Sequence, residues 1–181
     1  MRVISGIHKG RKLFCVKSLK VRPATDKVKS SIFNSLQHRI FLDNANVLDL
    51  FAGCGSLGIE ALSRGAKFVT FVEEDSEICE SIIKNINLIK DEYKTKLLQS
   101  SVEYFLKNNN SEYNLVFADP PYEYQLTRNL PGIICDKILS KNGYLLIEHI
   151  TSLEFPKSDL YNVEIQKRFG RTTVTYFTKK I

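Results

Sequence analysis

The chain lacks any apolar run approaching the roughly 20 residues of a membrane span, and no signal-like apolar leader follows Met1-Arg2. A cytosolic protein is expected. Its four cysteines, Cys15, Cys54, Cys79 and Cys135, form no C-x-x-C pair, which argues against a zinc knuckle or a disulfide framework and for buried reduced thiols. His8, His38 and His149 are scattered, so no metal centre or catalytic histidine is indicated. Satisfied surface positions are expected for all three. No repeat or low-complexity linker divides the 181 residues, and 43% hydrophobic with 25% charged is ordinary usage for one compact domain. Acid is nearly missing from residues 1–39, where ten Lys or Arg face Asp26 alone, so this stretch carries +9 and the remainder of the chain −3.

What is present begins with Asp119-Pro120-Pro121-Tyr122, directly after the apolar run Leu115-Val116-Phe117-Ala118. That places the tetrad at the C-terminal edge of a buried strand, where open α/β sheets bind ligands. Two prolines restrict the backbone and remove two N–H donors. A carboxylate, carbonyl oxygens and an aromatic face remain, a set that accepts hydrogens from an amino group and stacks on a flat base.

Upstream, Val47-Leu48-Asp49-Leu50-Phe51-Ala52 runs into Gly53-Cys54-Gly55-Ser56-Leu57-Gly58, a strand, a glycine turn and the start of a helix. The spacing fits G-x-G-x-x-G and so admits a nicotinamide dinucleotide. Asp49 tilts the reading towards S-adenosylmethionine, because a carboxylate suits a cationic sulfonium amino acid and opposes a pyrophosphate. Phe51, Ala52, Gly53 and Gly55 are then the donor cradle. Glu73, after the strand Phe68–Val72, is expected to take the ribose hydroxyls.

Periodicity predicts strands at 2–7 and 12–16 joined by a His8-Lys9-Gly10 turn, then a helix capped by Thr25 that buries Val28, Ile32, Phe33 and Leu36. Beyond residue 44, strands near 47–51, 67–72, 96–99, 114–118 and 143–148 alternate with helices near 56–64, 75–89, 101–107 and 130–140. Gly65 and Gly143 are read as helix stops. Residues 162–179 form an antiparallel hairpin around Gly170. The expected fold class is α/β, a Rossmann-like, mostly parallel sheet with a C-terminal antiparallel hairpin. It is one domain with a basic hairpin-and-helix extension over 1–39 and a catalytic core over 44–181.

The chain resembles the RsmD type of bacterial small-subunit rRNA guanine-N2 methyltransferases. The resemblance runs from Met1 nearly to the C-terminus. It is carried by Arg2-Val3-Ile4-Ser5-Gly6 with Gly10-Arg11, by Arg22-Pro23-Ala24-Thr25-Asp26-Lys27-Val28-Lys29 with Phe33-Asn34, by Asp49 to Ala66, by the tetrad and by Glu148. It implies S-adenosylmethionine as cofactor and 16S rRNA, free or within the small subunit, as partner of a monomeric enzyme. It also puts the adenine near Glu74 and near Ser101 and Val102, with Ser101 standing where many relatives of the broad class carry Asp or Asn. Glu60 and Glu148 match family positions, with a capping or orienting role sufficient to explain each.

In the chemistry proposed by the residues, the Asp119 carboxylate and Pro120 carbonyl accept the hydrogens of the target amine, and Tyr122 stacks on the extruded base. Arg2, Lys9, Arg11, Lys12, Arg22, Lys27 and Lys29, with Lys17 and Lys20, form a candidate phosphate-tracking surface. A merely solvated basic face is the alternative. Two other activities stay open: adenine-N6 or glutamine-amide methylation by the same tetrad, and RNA binding by a domain without catalysis.

Overall fold

The computed structural model describes residues 1–16 and 26–180. Among these, helix α1 (Asp26–Leu36) precedes strand β1 (Asn46–Leu50), then α2 (Ser56–Ser63), β2 (Phe68–Glu73), α3 (Ser76–Ile89) and β3 (Thr95–Gln99). There follow α4 (Val102–Asn108), β4 (Tyr113–Ala118), α5 (Leu130–Lys137), β5 (Leu139–Ile150), β6 (Tyr161–Phe169) and β7 (Thr172–Lys179). The sheet order is β3-β2-β1-β4-β5-β7-β6. Strands β3 to β5 are parallel, and the last two are antiparallel.

Strand β1 reads as a near-continuous apolar run because both its faces are covered. On one face Phe71, Phe117, Leu146 and Tyr176 pack with Ile32 and Phe33 of α1, Ile59 and Leu62 of α2, and Ile82 and Ile86 of α3. On the other, Leu48, Leu50, Val116, Leu145 and Ile147 pack with Phe105 of α4 and Ile134 of α5. Chain order reverses between β1 and β4, so their C-terminal ends diverge into a crevice. Helix α3 starts where Asp75 accepts hydrogen bonds from Glu77 and Ile78 N–H.

The helix α1 face, the parallel strands and the C-terminal hairpin lie where periodicity puts them. The N-terminal segment differs. Only a single antiparallel bridge, Arg2 with Lys12, links its two arms, and residues 5–10 form bends and turns rather than the expected strand and short turn. Val3, Gly10 and Leu13 N–H bond across the arms to the Arg11, Val3 and Met1 carbonyls, while Ile4 and Ser5 N–H donate to Glu60 on α2 and Ile7 N–H to the Ser63 carbonyl. Val3 and Leu13 join the α1 and α2 core. Gly143 stops no helix. It lies inside β5, where a side chain would meet Leu139 at 2.9 Å and the Asn114 carbonyl at 3.0 Å, and α5 ends earlier because β5 starts at Leu139. The Thr25 cap falls outside the described residues.

Candidate functional site

The turn after β1 is built from left-handed backbone: Phe51 has φ 54°, Gly53 55° and Gly55 74°. Glycine accepts this geometry without strain, and at Phe51 the surrounding packing must hold it. Its ring meets Tyr124 edge-on at 4.9 Å. Gly55 ends the turn as the N-cap of α2 without a side-chain cap. Asp49 supplies one from the strand, its Oδ2 accepting from Gly58 N–H at 2.9 Å. Burial lifts the Asp49 carboxyl to about 7, the Gly58 bond opposing the shift and Glu73 adding to it.

Glu73, 9% exposed, grips the turn from β2. It accepts from Gly53 N–H at 2.9 Å and from Glu74 and Asp75 N–H at 3.0 and 3.1 Å. Burial raises its carboxyl despite those three bonds. The glycine turn and the second acid of the nucleotide-binding unit are therefore one hydrogen-bonded unit.

One crevice of about 1780 Å³ gathers Asp49, Phe51, Ala52, Gly53, Glu73, Glu74, Val102, Asp119, Pro120, Tyr122 and Lys27. At one end Tyr122 is 47% exposed, free to present its ring to a ligand. Burial first, then repulsion from Glu148 and Asp49, holds the Asp119 carboxyl well above the usual carboxylate range. The Tyr124 hydroxyl beside Glu103 holds the Glu103 carboxyl below its ordinary value. The residues suit a cationic nucleoside donor: a buried carboxyl that gains by meeting positive charge, a side-chain-free turn and an acid on β2.

Other expected residues fall elsewhere. Ser101 caps α4, accepting from Tyr104 N–H at 3.2 Å, and Ser100, Val102 and Glu103 line the crevice in its place. Gly55 shapes the turn without lining the crevice. Lys29 is no phosphate contact. It is 0% exposed, donates to the Arg2 carbonyl at 2.6 Å and pairs with Glu60 at 3.7 Å. It sits on the buried stripe of α1, a placement its charge conceals in sequence. Arg2, Lys9, Arg11 and Lys12 are exposed, while Arg22, Lys17 and Lys20 lie outside the described residues. His8 is held by Asp91 at 2.6 Å. His149 is buried rather than on the surface, hydrogen-bonded to Thr175 and the Ile150 carbonyl. Cys54, Cys79 and Cys135 are buried, and Cys15 is only partly so.

Sequence reasoning gave no site role to Glu148, Arg168 and Arg171, which line the crevice from β5 and the β6–β7 hairpin. For Glu148 a signal existed, an acid inside the apolar run Tyr144–Ile150. The arginines are far from the tetrad in sequence and reach it only because β7 pairs with β5. Among the described residues neither has a carboxylate partner.

The family described as conserved hypothetical protein 95 matches residues 1–178. A Bacillus subtilis protein named as a candidate rRNA methyltransferase is 35% identical over 186 residues, covering 99% of this chain and 100% of that one. The ribosomal RNA small subunit methyltransferase D of Haemophilus influenzae is 38% identical over 153 residues, covering 82% of this chain and 78% of its own. A solved Escherichia coli structure, described as a candidate methyltransferase, superposes with TM-score 0.86 at 29% identity, covering 99% and 98% of the two chains.

Proposed function

Because the chain belongs to the conserved hypothetical protein 95 family, we propose that it transfers a methyl group from S-adenosylmethionine to the exocyclic N2 of a guanine in 16S rRNA. It acts as a cytoplasmic monomer on the free or assembling small subunit. The carrying observation is the placement of Asp119-Pro120-Pro121-Tyr122 beside the glycine turn, in one crevice at the sheet's switch point.

Bound S-adenosylmethionine supplies an electrophilic methyl on a positively charged sulfur. Asp49 balances that charge, the Gly53 turn admits the donor without steric conflict, and Glu73 and Glu74 face the ribose and adenine. A guanine amine shares its lone pair with the ring and is a weak nucleophile. Asp119 and the Pro120 carbonyl accept its two hydrogens, leave the lone pair free for the methyl, and stabilise the positive charge that develops on nitrogen. The N–H it accepts and a nearby cation also favour the ionised Asp119, offsetting its burial. The nitrogen becomes far more acidic once alkylated, so its proton leaves after transfer and Asp119 need not be a strong base. Tyr122 stacks on the extruded base. Lys27, Arg168 and Arg171 at the rim, with Arg11 and Lys12 beyond it, hold the flanking phosphates.

The test compares rRNA from a deletion strain, before and after treatment with the pure protein, by mass spectrometry of nucleosides. Appearance of N2-methylguanosine is expected. Asp119→Ala should abolish it while donor affinity by calorimetry stays within about threefold. Methylation on another atom would overturn the guanine assignment.

A further inference from the structure

Glu148 is an acid with half of its hydrogen-bonding capacity unused. Its Oε2 is buried and has no partner, although burying an unsatisfied carboxylate oxygen costs free energy. Register explains where it points. Ala118 of β4 pairs with Ile147 of β5, so Asp119 and Glu148 are the next residues along adjacent parallel strands, roughly 4.8 Å apart in backbone. Alternation puts both on the face of Asp49, Phe117 and Leu146, which are in register across β1, β4 and β5. The two carboxyls repel each other, and both line the crevice.

We infer that Glu148 reads the base beside the reacting amine, its carboxylate accepting the N1–H of guanine while Asp119 and Pro120 take the hydrogens on N2. This rests on the guanine-N2 reading above. Guanine presents two neighbouring donor groups on its Watson–Crick edge, N1–H and the N2 amine, and two adjacent carboxylates match them. Adenine offers one amine beside the lone pair of N1, which would face a carboxylate oxygen. Glu148 is thus a specificity residue that prefers guanine by hydrogen bonding and rejects adenine by lone-pair repulsion. If the carboxylate turns Oε2 towards the crevice, the arriving N1–H also supplies the partner that this oxygen lacks.

The experiment uses small-subunit rRNA ligated to carry either guanosine or 2-aminopurine riboside at the methylated position. The second base keeps the 2-amine but replaces N1–H with a lone pair. Wild-type protein should methylate the guanosine RNA at least about 100-fold faster in kcat/KM. Glu148→Gln keeps the shape and can donate its amide N–H to that lone pair. It should lower the guanosine rate about 10- to 100-fold and bring the preference within about fivefold. Donor affinity by calorimetry should be unchanged, since Glu148 is not part of the donor cradle. An unchanged preference in Glu148→Gln, or equal wild-type rates on the two RNAs, overturns the inference and leaves guanine methylation standing. If wild-type protein methylates neither RNA, the guanine reading itself fails and the inference with it.

Discussion

Glu60→Ala should loosen the N-terminal segment and, through it, the donor site. The Glu60 side chain is 0% exposed and accepts from Ile4 N–H at 2.7 Å, Ser5 N–H at 3.0 Å and Arg64 Nε at 2.8 Å, with Lys29 Nζ at 3.7 Å. Removing it strands the fully buried Lys29 ammonium, which keeps only the Arg2 carbonyl. An uncompensated buried charge costs about 3–5 kcal/mol. The two backbone donors, within reach of water, add about 1 kcal/mol each. The expected loss of about 5–7 kcal/mol would consume much of the roughly 5–15 kcal/mol of a typical domain. Adding Lys29→Met removes the stranded charge and should return about 3 kcal/mol, so the pair is strongly non-additive. Urea unfolding of the four proteins measures this. Additivity within about 0.5 kcal/mol would refute the buried-pair account. The same segment bears on function, since Asn85 Nδ2 donates to both the Phe14 and Cys54 carbonyls and ties residues 13–16 to the glycine turn. Donor affinity should therefore fall in Glu60→Ala, and stay low in the double variant, which also lacks the acceptors of Ile4 and Ser5 N–H.

The Asp49 carboxyl, raised to about 7 by burial, is protonated in the free protein below that pH, while a cationic donor favours its ionised form. Donor affinity should rise up to about tenfold per pH unit as pH approaches 7 and level off above it. Asp49→Asn should bind more weakly with that slope lost, as titration calorimetry across pH would show. In the free protein the sign is opposite: the folded state holds the proton longer than the unfolded chain, so Asp49 subtracts stability as pH rises from about 4 to 7, and Asp49→Asn should flatten that fall in urea midpoints. Gly58→Ala should destabilise by about 2 kcal/mol in urea, because the new methyl collides with the Phe71 ring and comes within 2.8 Å of Val69, overpacking that exceeds the helical gain. Stability equal to wild type would contradict this close approach of α2 to β2. Reversing charge at Arg168 and Arg171 together should weaken rRNA binding and reduce its salt slope by about two. The same change at Arg11, Lys12 and Lys27 should act in the same direction, and filter binding from low to high salt that shows no change would remove these cations from the interface.

The strands, glycine turn and tetrad were legible because each is a local pattern: apolar runs of strand length, glycines at fixed offsets, an acid and two prolines at a strand end. Asp49, Glu73 and Asp119 share a crevice because parallel strands in a doubly wound sheet all end on one side. Lys29 was misplaced because charge was allowed to outweigh helical phase. It lies one residue after buried Val28 and three before Ile32, on the core stripe. Ser101 shows a role that spacing does not reveal, because a hydroxyl before a helix serves equally as cap and as ligand, and here it accepts from the Tyr104 N–H.

The sequence by itself determined the parallel order of elements, the glycine turn and the Asp-Pro-Pro-Tyr tetrad at a strand end, since backbone conformation and strand burial there follow from neighbouring residue types. Tertiary structure alone decided the partners of the lone acids. Glu60 beneath the N-terminal segment, and Glu148 beside Asp119 with one oxygen unmet, depend on contacts between residues far apart in the chain, which local spacing does not encode.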